Sequence, residues 1–275
     1  MRIVPSDWMP LHTGLTDGQH VFAIGDVHGR AANLSALLEF LGGSTNETGE
    51  NTLLFLGDLH DRGVDDLGAM DLAVNAPDRE FSSVICLMGN HEQLLKLTLL
   101  GRDSEMPLLW KQNGGGSLMR QLGLQQELGR LTCAEFANRL EDALGTRRAG
   151  WLANLQSHFK IGNLLFVHAG INHQISLDEH FSQHWSVLHE LHWSWIRSEF
   201  LGFPVMIPNL TVIHGHTPVR RNPVQQFAEP DFFPHCQRDG KINLDGGSFI
   251  SGCVIGAQFT KSAWRLAAAV GPPSS

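Results

Sequence analysis

The sequence is poor in cysteine. Its four cysteines, Cys86, Cys133, Cys236 and Cys253, include no pair at metal-ligand or redox spacing. That excludes a disulfide scaffold and a thiolate zinc finger, and the four are expected as reduced core residues of a cytoplasmic protein. Long apolar runs are also missing. None could span a bilayer, and residues 1–10, with Pro5, Asp7 and Pro10, lack the apolar segment of a signal peptide. No membrane contact is expected. Charged residues make up only 17% and the net charge is −8, which argues against a broad basic face, so no nucleic-acid partner is expected. No repeat, low-complexity tract or linker divides the chain, and residues 1–275 are expected to form one domain. What the sequence does have is 42% hydrophobic residues, enough for a substantial core, and fifteen histidines.

Short apolar runs recur at residues 20–24, 52–56, 83–88, 163–167 and 210–213. Their length and β-branched content predict buried strands. Amphipathic stretches between them predict helices. Ala31, Leu34, Leu37, Leu38 and Leu41 share one face, and Leu94, Leu95, Leu97 and Leu99 mark a second helix after Asn90. Residues 132–144, 151–155 and 187–200 also read as helical, the last with Trp193 and Trp195. Further strands are expected at 241–244 and 252–259. The alternation of strand and helix predicts an α/β layered fold. Loops are expected at 42–51, 101–107, 113–116 and 220–240; the last, with Phe227, Phe232, Phe233 and three prolines, is long enough to read as functional.

Five of the apolar runs end in a polar cluster. These are Gly25-Asp26-Val27-His28-Gly29, then Gly57-Asp58-Leu59-His60-Asp61-Arg62-Gly63, then Gly89-Asn90-His91-Glu92, then Val167-His168-Ala169-Gly170, then His214-Gly215-His216-Thr217-Pro218. Parallel strands would bring all five to one sheet edge, where α/β proteins bind ligands. Asp, Asn and His offer oxygen and imidazole nitrogen without thiolate, a donor set that suits Mn, Fe, Zn, Co or Ni. Six such side chains exceed what one four-coordinate ion takes. They suit two ions sharing a carboxylate, the arrangement used for in-line displacement at phosphorus. Each cluster alone is a weak signal; their ordered joint occurrence is a strong one.

With these blocks the sequence resembles the calcineurin-like metallophosphoesterases, and among them the phosphoprotein phosphatases. The Asp61-Arg62-Gly63 triplet separates it from the phosphodiesterase branches, whose terminal Gly-His-x-His is replaced here by a proline at Pro218. Gly89-Asn90-His91-Glu92-Gln93 and Asn113-Gly114-Gly115-Gly116 are similar to blocks of bacterial and phage-type protein phosphatases. The resemblance runs from about Val21 to Phe259 and puts the core at about 20–260. It implies two packed mixed β-sheets flanked by helices, with two divalent transition-metal ions at one edge, Mn2+ foremost.

The resemblance also implies roles. Asp26, His28 and Asp58 would hold the first metal, and Asp58 would bridge to a second completed by Asn90, His168 and His216. His91 would face the leaving-group oxygen as general acid, oriented by Asp61. Arg62 would clasp phosphoryl oxygens, joined by Arg197, which the resemblance expects on the helix before the fifth block. Arg30 reads as an exposed first-turn residue, and His173, His180, His184, His189 and His192 read mostly as solvated. His214 is expected as a buried, hydrogen-bonded side chain. His60 stands where the family prefers an apolar residue, and either supports the site or packs beside it.

The function expected is metal-dependent hydrolysis of phosphate monoesters, as a protein serine/threonine phosphatase acting on a phosphorylated protein or small phosphoester. A symmetrical diadenosine tetraphosphate hydrolase is the alternative, since such enzymes share these blocks. A non-catalytic phosphate-binding protein would have lost a ligand or the His91–Asp61 pair, and none is lost. Oligomeric state is left open, with a monomer sufficient.

Overall fold

The computed structural model describes residues 1–45, 49–76, 80–219, 233 and 235–272. Two sheets pack face to face. The first starts with β1 (Arg2–Pro5), β2 (Met9–Pro10) and β3 (Gln19–Ile24). Helix α1 (Ala31–Gly42) leads to β4 (Glu50–Phe55), and α2 (Asp66–Val74) leads to β5 (Ser83–Cys86). A helical block follows: α3 (Asn90–Leu99), α4 (Met106–Trp110), one π turn (Lys111–Gly115), α5 (Gly116–Gln121) and α6 (Cys133–Ala153). The second sheet holds β6 (His158–Ile161) and β7 (Leu164–Val167), then, after the short helices α7 (Leu177–Phe181) and α8 (Ser198–Leu201), β8 (Thr211–His214), β9 (Gln237–Arg238) and β10 (Lys241–Asn243). The chain returns through α9 (Ser248–Ser251) to β11 (Cys253–Phe259) and β12 (Ala263–Val270) in the first sheet.

Sheet order is β1-β12-β11-β3-β4-β5, with β2 also on β12, and β6-β7-β8-β10-β9. Strands β3, β4 and β5 are parallel, as are β7, β8 and β10. Strand alternation sets the layers. Val21, Ala23, Leu54 and Leu56 meet Leu164, Phe166, Ile213 and Ile242 between the sheets. Phe22, Ile24, Leu53 and Phe55 face the other way, onto Leu34, Leu37, Leu38 and Leu41 of α1. Leu165, Val167 and Val212 cover the outer face of the second sheet with Trp193, Ile196 and Phe200. The result is the expected layered α/β architecture of two mixed sheets flanked by helices.

Four local expectations need correction. Residues 187–200 do not form a helix; they run through successive turns, and only Ser198–Leu201 is helical. His192, Trp193, Ser194 and Ile196 are all buried there, more directions than one helix face can cover. Residues 113–116 form a kink rather than an open loop: Gly114, at φ 119°, breaks the helical run between α4 and α5. Arg30 is buried, its Nε donating to the Ser248 carbonyl (3.1 Å) and its Nη1 to that of Pro272 (3.0 Å). His180 and His192 are buried as well. Two segments outside the family resemblance are ordered strands, with β1 pairing antiparallel with β12. Residues 220–232 and 234 of the proline-rich segment lie outside the described residues.

The sheets converge at the carboxyl ends of their parallel strands, and glycine permits the approach. A Cβ on Gly25 would lie 2.1 Å from the Leu244 carbonyl oxygen, and one on Gly57 2.4 Å from the Gly89 nitrogen. Gly25→Ala is therefore expected to cost about 2–3 kcal/mol through overpacking against backbone. Urea unfolding checks this; a midpoint equal to the parent's would mean the strand ends separate freely.

Candidate metal centre

Six strand ends supply the site. Asp26 follows β3, Asp58 follows β4, Asn90 and His91 follow β5, His168 follows β7, His216 follows β8 and Asp245 follows β10. Among the described residues, seven non-glycine residues have positive φ, and five of them are here: His28 (46°), Asp58 (53°), Asp61 (69°), Arg62 (68°) and His216 (66°). Such backbone strain persists only where the surroundings hold it. Much of the holding falls to Glu92, at the start of α3. Its Oε2 accepts from the backbone N–H groups of Asp58 (2.8 Å) and Gly89 (2.9 Å), and its Oε1 from that of Leu59 (2.9 Å).

Two groups of donors converge: His28, Asp58 and His91, and Asp58, His168 and His216, each with its ligand atoms within 4.8 Å of one another. Asp58 is common to both. The ring protons are fixed by outward partners. His28 Nδ1 faces the His60 carbonyl at 3.1 Å and His168 Nδ1 that of Leu56 at 2.9 Å, so each turns a bare Nε2 inward. His216 Nε2 faces the Trp195 carbonyl at 3.1 Å, so Nδ1 is its inward nitrogen. His168 Nε2 and His216 Nδ1 then stand 3.2 Å apart, with Asp58 Oδ1 3.4 Å and Asn90 Oδ1 3.2 Å from His168 Nε2. Lone pairs converging without a proton between them fit a cation.

The electrostatics agree. Burial alone would raise the Asp58 pKa, but His168, His91, His28 and His216 hold it well below the ordinary carboxylate value. Burial, with His91 beside it, lowers His28 to about 3, and burial, with His168 beside it, holds His216 well below its ordinary value. Imidazoles kept neutral are imidazoles able to bind metal. Burial, then the nearby carboxylates Asp245 and Asp58, push Asp26 up.

A second layer surrounds these donors. His91 Nδ1 lies 2.8 Å from Asp61 Oδ2, and its Nε2 is buried with no hydrogen-bond partner among the described residues. His60 Nδ1 lies 2.9 Å from Asp61 Oδ1, an ion-pair contact whose angles do not make a good hydrogen bond. Burial would depress His60, but Asp61, with Glu92 and Asp66 behind it, raises it to about 9. His60 thus stands buried beside the Asp61 carboxylate. Arg62 and Arg197 approach from different sides. Arg62 Nη1 lies 3.3 Å from His28 Nε2, with its guanidinium 4.8 Å from the Phe249 ring centroid. Arg197 Nη1 donates to the His216 carbonyl (2.8 Å) and to Thr217 Oγ1 (2.9 Å).

The sequence-derived candidates are therefore brought to one place, with a difference in grouping. The Asp26 carboxylate accepts the His216 backbone N–H at 3.0 and 3.1 Å, and His91 stands with His28 and Asp58 in the first group. His214 is buried, its Nδ1 3.0 Å from the Gly215 carbonyl. Sequence reasoning missed Asp245, which burial pushes up to about 7. The signal was available, since the run 241–244 ends in Asp245-Gly246-Gly247 like the other strand ends. It also missed Gln93. Gln93 Nε2 donates to the carbonyls of Trp185 (2.5 Å) and Val187 (2.9 Å), while its Oε1 accepts from Ser194 Oγ (2.9 Å) and Trp195 Nε1 (2.5 Å). This one amide ties α3 to the turns that carry Trp195 and Arg197.

The sequence model of the calcineurin-like phosphoesterases matches residues 20–244, from β3 to the end of the last parallel strand. The chain belongs to that family. Among calcineurin-like phosphoesterases with curated sequences, it is 37% identical over 97 residues to serine/threonine-protein phosphatase 1 of Salmonella typhimurium. That match covers 35% of this chain and 39% of the relative, so the chain spans well under half the length of the relative it matches. Several solved structures share the fold, two of them phosphatases. One is a point mutant of a cold-active protein tyrosine phosphatase, 18% identical with a TM-score of 0.56, covering 90% of this chain and 77% of the other. The second is the cold-active protein-tyrosine phosphatase of a psychrophilic Shewanella, 19% identical with a TM-score of 0.52, covering 86% and 75%. The centre fits the paired metal ions typical of calcineurin-like phosphoesterases. Among the described residues no helix is long and apolar enough to cross a membrane.

Proposed function

We propose that this chain hydrolyses phosphate monoesters as a metal-dependent protein serine/threonine phosphatase. The observation that carries the reading is Asp58 shared between two donor groups, with His91 in the first of them and its Nε2 buried without a hydrogen-bond partner among the described residues. The curated relative named a serine/threonine-protein phosphatase supports the substrate class. Asp26, His28 and Asp58 would hold one ion, and Asp58, Asn90, His168 and His216 would hold the other. Two divalent ions bound there, Mn2+ foremost, supply Lewis acidity and make a water nucleophilic at neutral pH. The chain's own residues do the rest. Arg62 and Arg197 grip phosphoryl oxygens. As water's oxygen bonds to phosphorus, the ester P–O bond breaks, and His91 Nε2 passes a proton to the departing oxygen. Asp61, held well below its ordinary pKa by His60 and His91 against the opposing effect of burial, stabilises the charged ring.

Turnover of a phosphoserine peptide, p-nitrophenyl phosphate and diadenosine tetraphosphate, each with Mn2+, tests the reading. Peptide turnover above that of the dinucleotide is expected. Preference for the dinucleotide would overturn the substrate class, and no hydrolysis with any divalent metal would overturn the activity.

The arginines are expected to differ. Arg62→Ala leaves the donors in place but removes charge-assisted hydrogen bonds that strengthen in the transition state, so kcat should fall on the order of a hundredfold. Arg197 stands on the rim beside His216. Arg197→Ala should raise KM and weaken inhibition by phosphate more than it lowers kcat. Wild-type rate and phosphate inhibition in Arg197→Ala would remove it from the site.

A further inference from the structure

The block Asn113-Gly114-Gly115-Gly116 has no place in the chemistry above, yet the structure sets it against two groups that do. The Arg62 backbone N–H donates to the Gly114 carbonyl (3.2 Å) and Arg62 Nε to that of Asn113 (3.2 Å). Gly114 has φ 119°, and a Cβ there would lie 2.5 Å from Arg62 Cγ. The next residue serves a different partner. A Cβ on Gly115 would lie 2.3 Å from Trp110 Nε1. That indole nitrogen donates to Asp61 Oδ2 at 2.9 Å, the oxygen that also faces His91 Nδ1. Trp110 is fully buried, and its ring packs among Leu94, Leu95 and Leu118. One π turn thereby cradles the arginine on one side and seats the indole on the other.

We infer that Trp110 is a positioning residue: its indole N–H, seated by the glycine turn, fixes the Asp61 carboxylate so that Asp61 in turn aims His91 Nε2 at the leaving group. Packing alone does not require that contact, because phenylalanine would fill much of the same space. A carboxylate between two histidines has several ways to lie. With Oδ2 shared by an indole and His91, and Oδ1 left to His60, it has one. The kink at Gly114 then has a purpose, since a side chain at Gly114 would meet Arg62 and one at Gly115 would meet Trp110.

This inference rests on the reading of His91 as the proton donor, and its test separates the two. Trp110→Phe keeps an aromatic ring and removes the N–H. Loss of one such hydrogen bond to a charged group is expected to lower kcat on a phosphoserine peptide about tenfold, with KM and metal content unchanged. On p-nitrophenyl phosphate, whose leaving group needs little protonation, the loss should stay under about twofold. In an Asp61→Asn background Trp110→Phe should cost nothing further, because the group it positions is gone. If thermal melting shows Trp110→Phe to be unfolded, Gly115→Ala carries the same measurements, since its methyl displaces the indole nitrogen while the ring remains. Wild-type kcat in the folded variant, equal losses on both substrates, or the same loss again in the Asp61→Asn background would each overturn the inference. An inactive wild-type protein would instead overturn the function on which it rests.

Discussion

Asp58→Asn is expected to leave a folded protein that retains neither metal after dialysis and loses on the order of a thousandfold in kcat. Asp58 is the one side chain common to both donor groups. Its carboxylate is only 2% exposed and lies 3.4 Å from His168, 3.7 Å from His28 and 3.9 Å from His91. An amide of the same shape removes the negative charge from all of them at once. It also turns an N–H2 donor toward a place built from lone pairs. The backbone should survive, because the Asp58 and Leu59 N–H groups are held by Glu92, and an amide oxygen can still accept the His91 N–H that Oδ1 accepts at 3.1 Å. Elemental analysis of the dialysed variant, with circular dichroism as the control for folding, makes the measurement. Two retained ions would show that Asp58 bridges nothing.

His91→Asn should be the complementary case, with metal content intact and turnover lost according to the leaving group. His91 is a member of the first donor group only through Nε2, and its Nδ1 is committed to Asp61. Removing a positioned proton donor should cost on the order of a thousandfold on a phosphoserine peptide, whose alkoxide is a poor leaving group. On p-nitrophenyl phosphate the cost should be tenfold or less, about what a well-stabilised phenolate requires. Equal losses on the two substrates would remove the general-acid role. A fall in metal content would instead make His91 a ligand, as its nearness to His28 and Asp58 would then require.

Much of this centre was legible in the sequence because parallel strands make it local. Each donor stands within a few residues of a strand's last apolar position, and the expected parallel order carries every such cluster to one edge. The runs at 20–24, 52–56 and 83–88 became β3, β4 and β5, and those at 163–167 and 210–213 became β7 and β8. Apolar periodicity fixed their type, and Gly, Asp, Asn and His fixed their ends. Residues 187–200 misled the same reasoning. Their spacing of Trp and Leu suits a helix, but His192, Trp193 and Ser194 are buried in different directions, and Gln93 from a distant helix takes the backbone carbonyls of Trp185 and Val187.

By itself, the sequence determined the layered α/β class and the family and proposed the donors, since these depend on local pattern and on residue chemistry at strand ends. Tertiary structure alone decided how the donors group. It set Asp26 against the His216 backbone, put Asp245 among the carboxylates, buried Arg30 against the Ser248 and Pro272 carbonyls, and joined β1 to β12 across the length of the sequence. It also decided that Trp110 reaches Asp61 across 49 residues of chain. Such contacts form where two sheets and a helical block close on one another, and a pattern of neighbours along the chain carries no record of that closure.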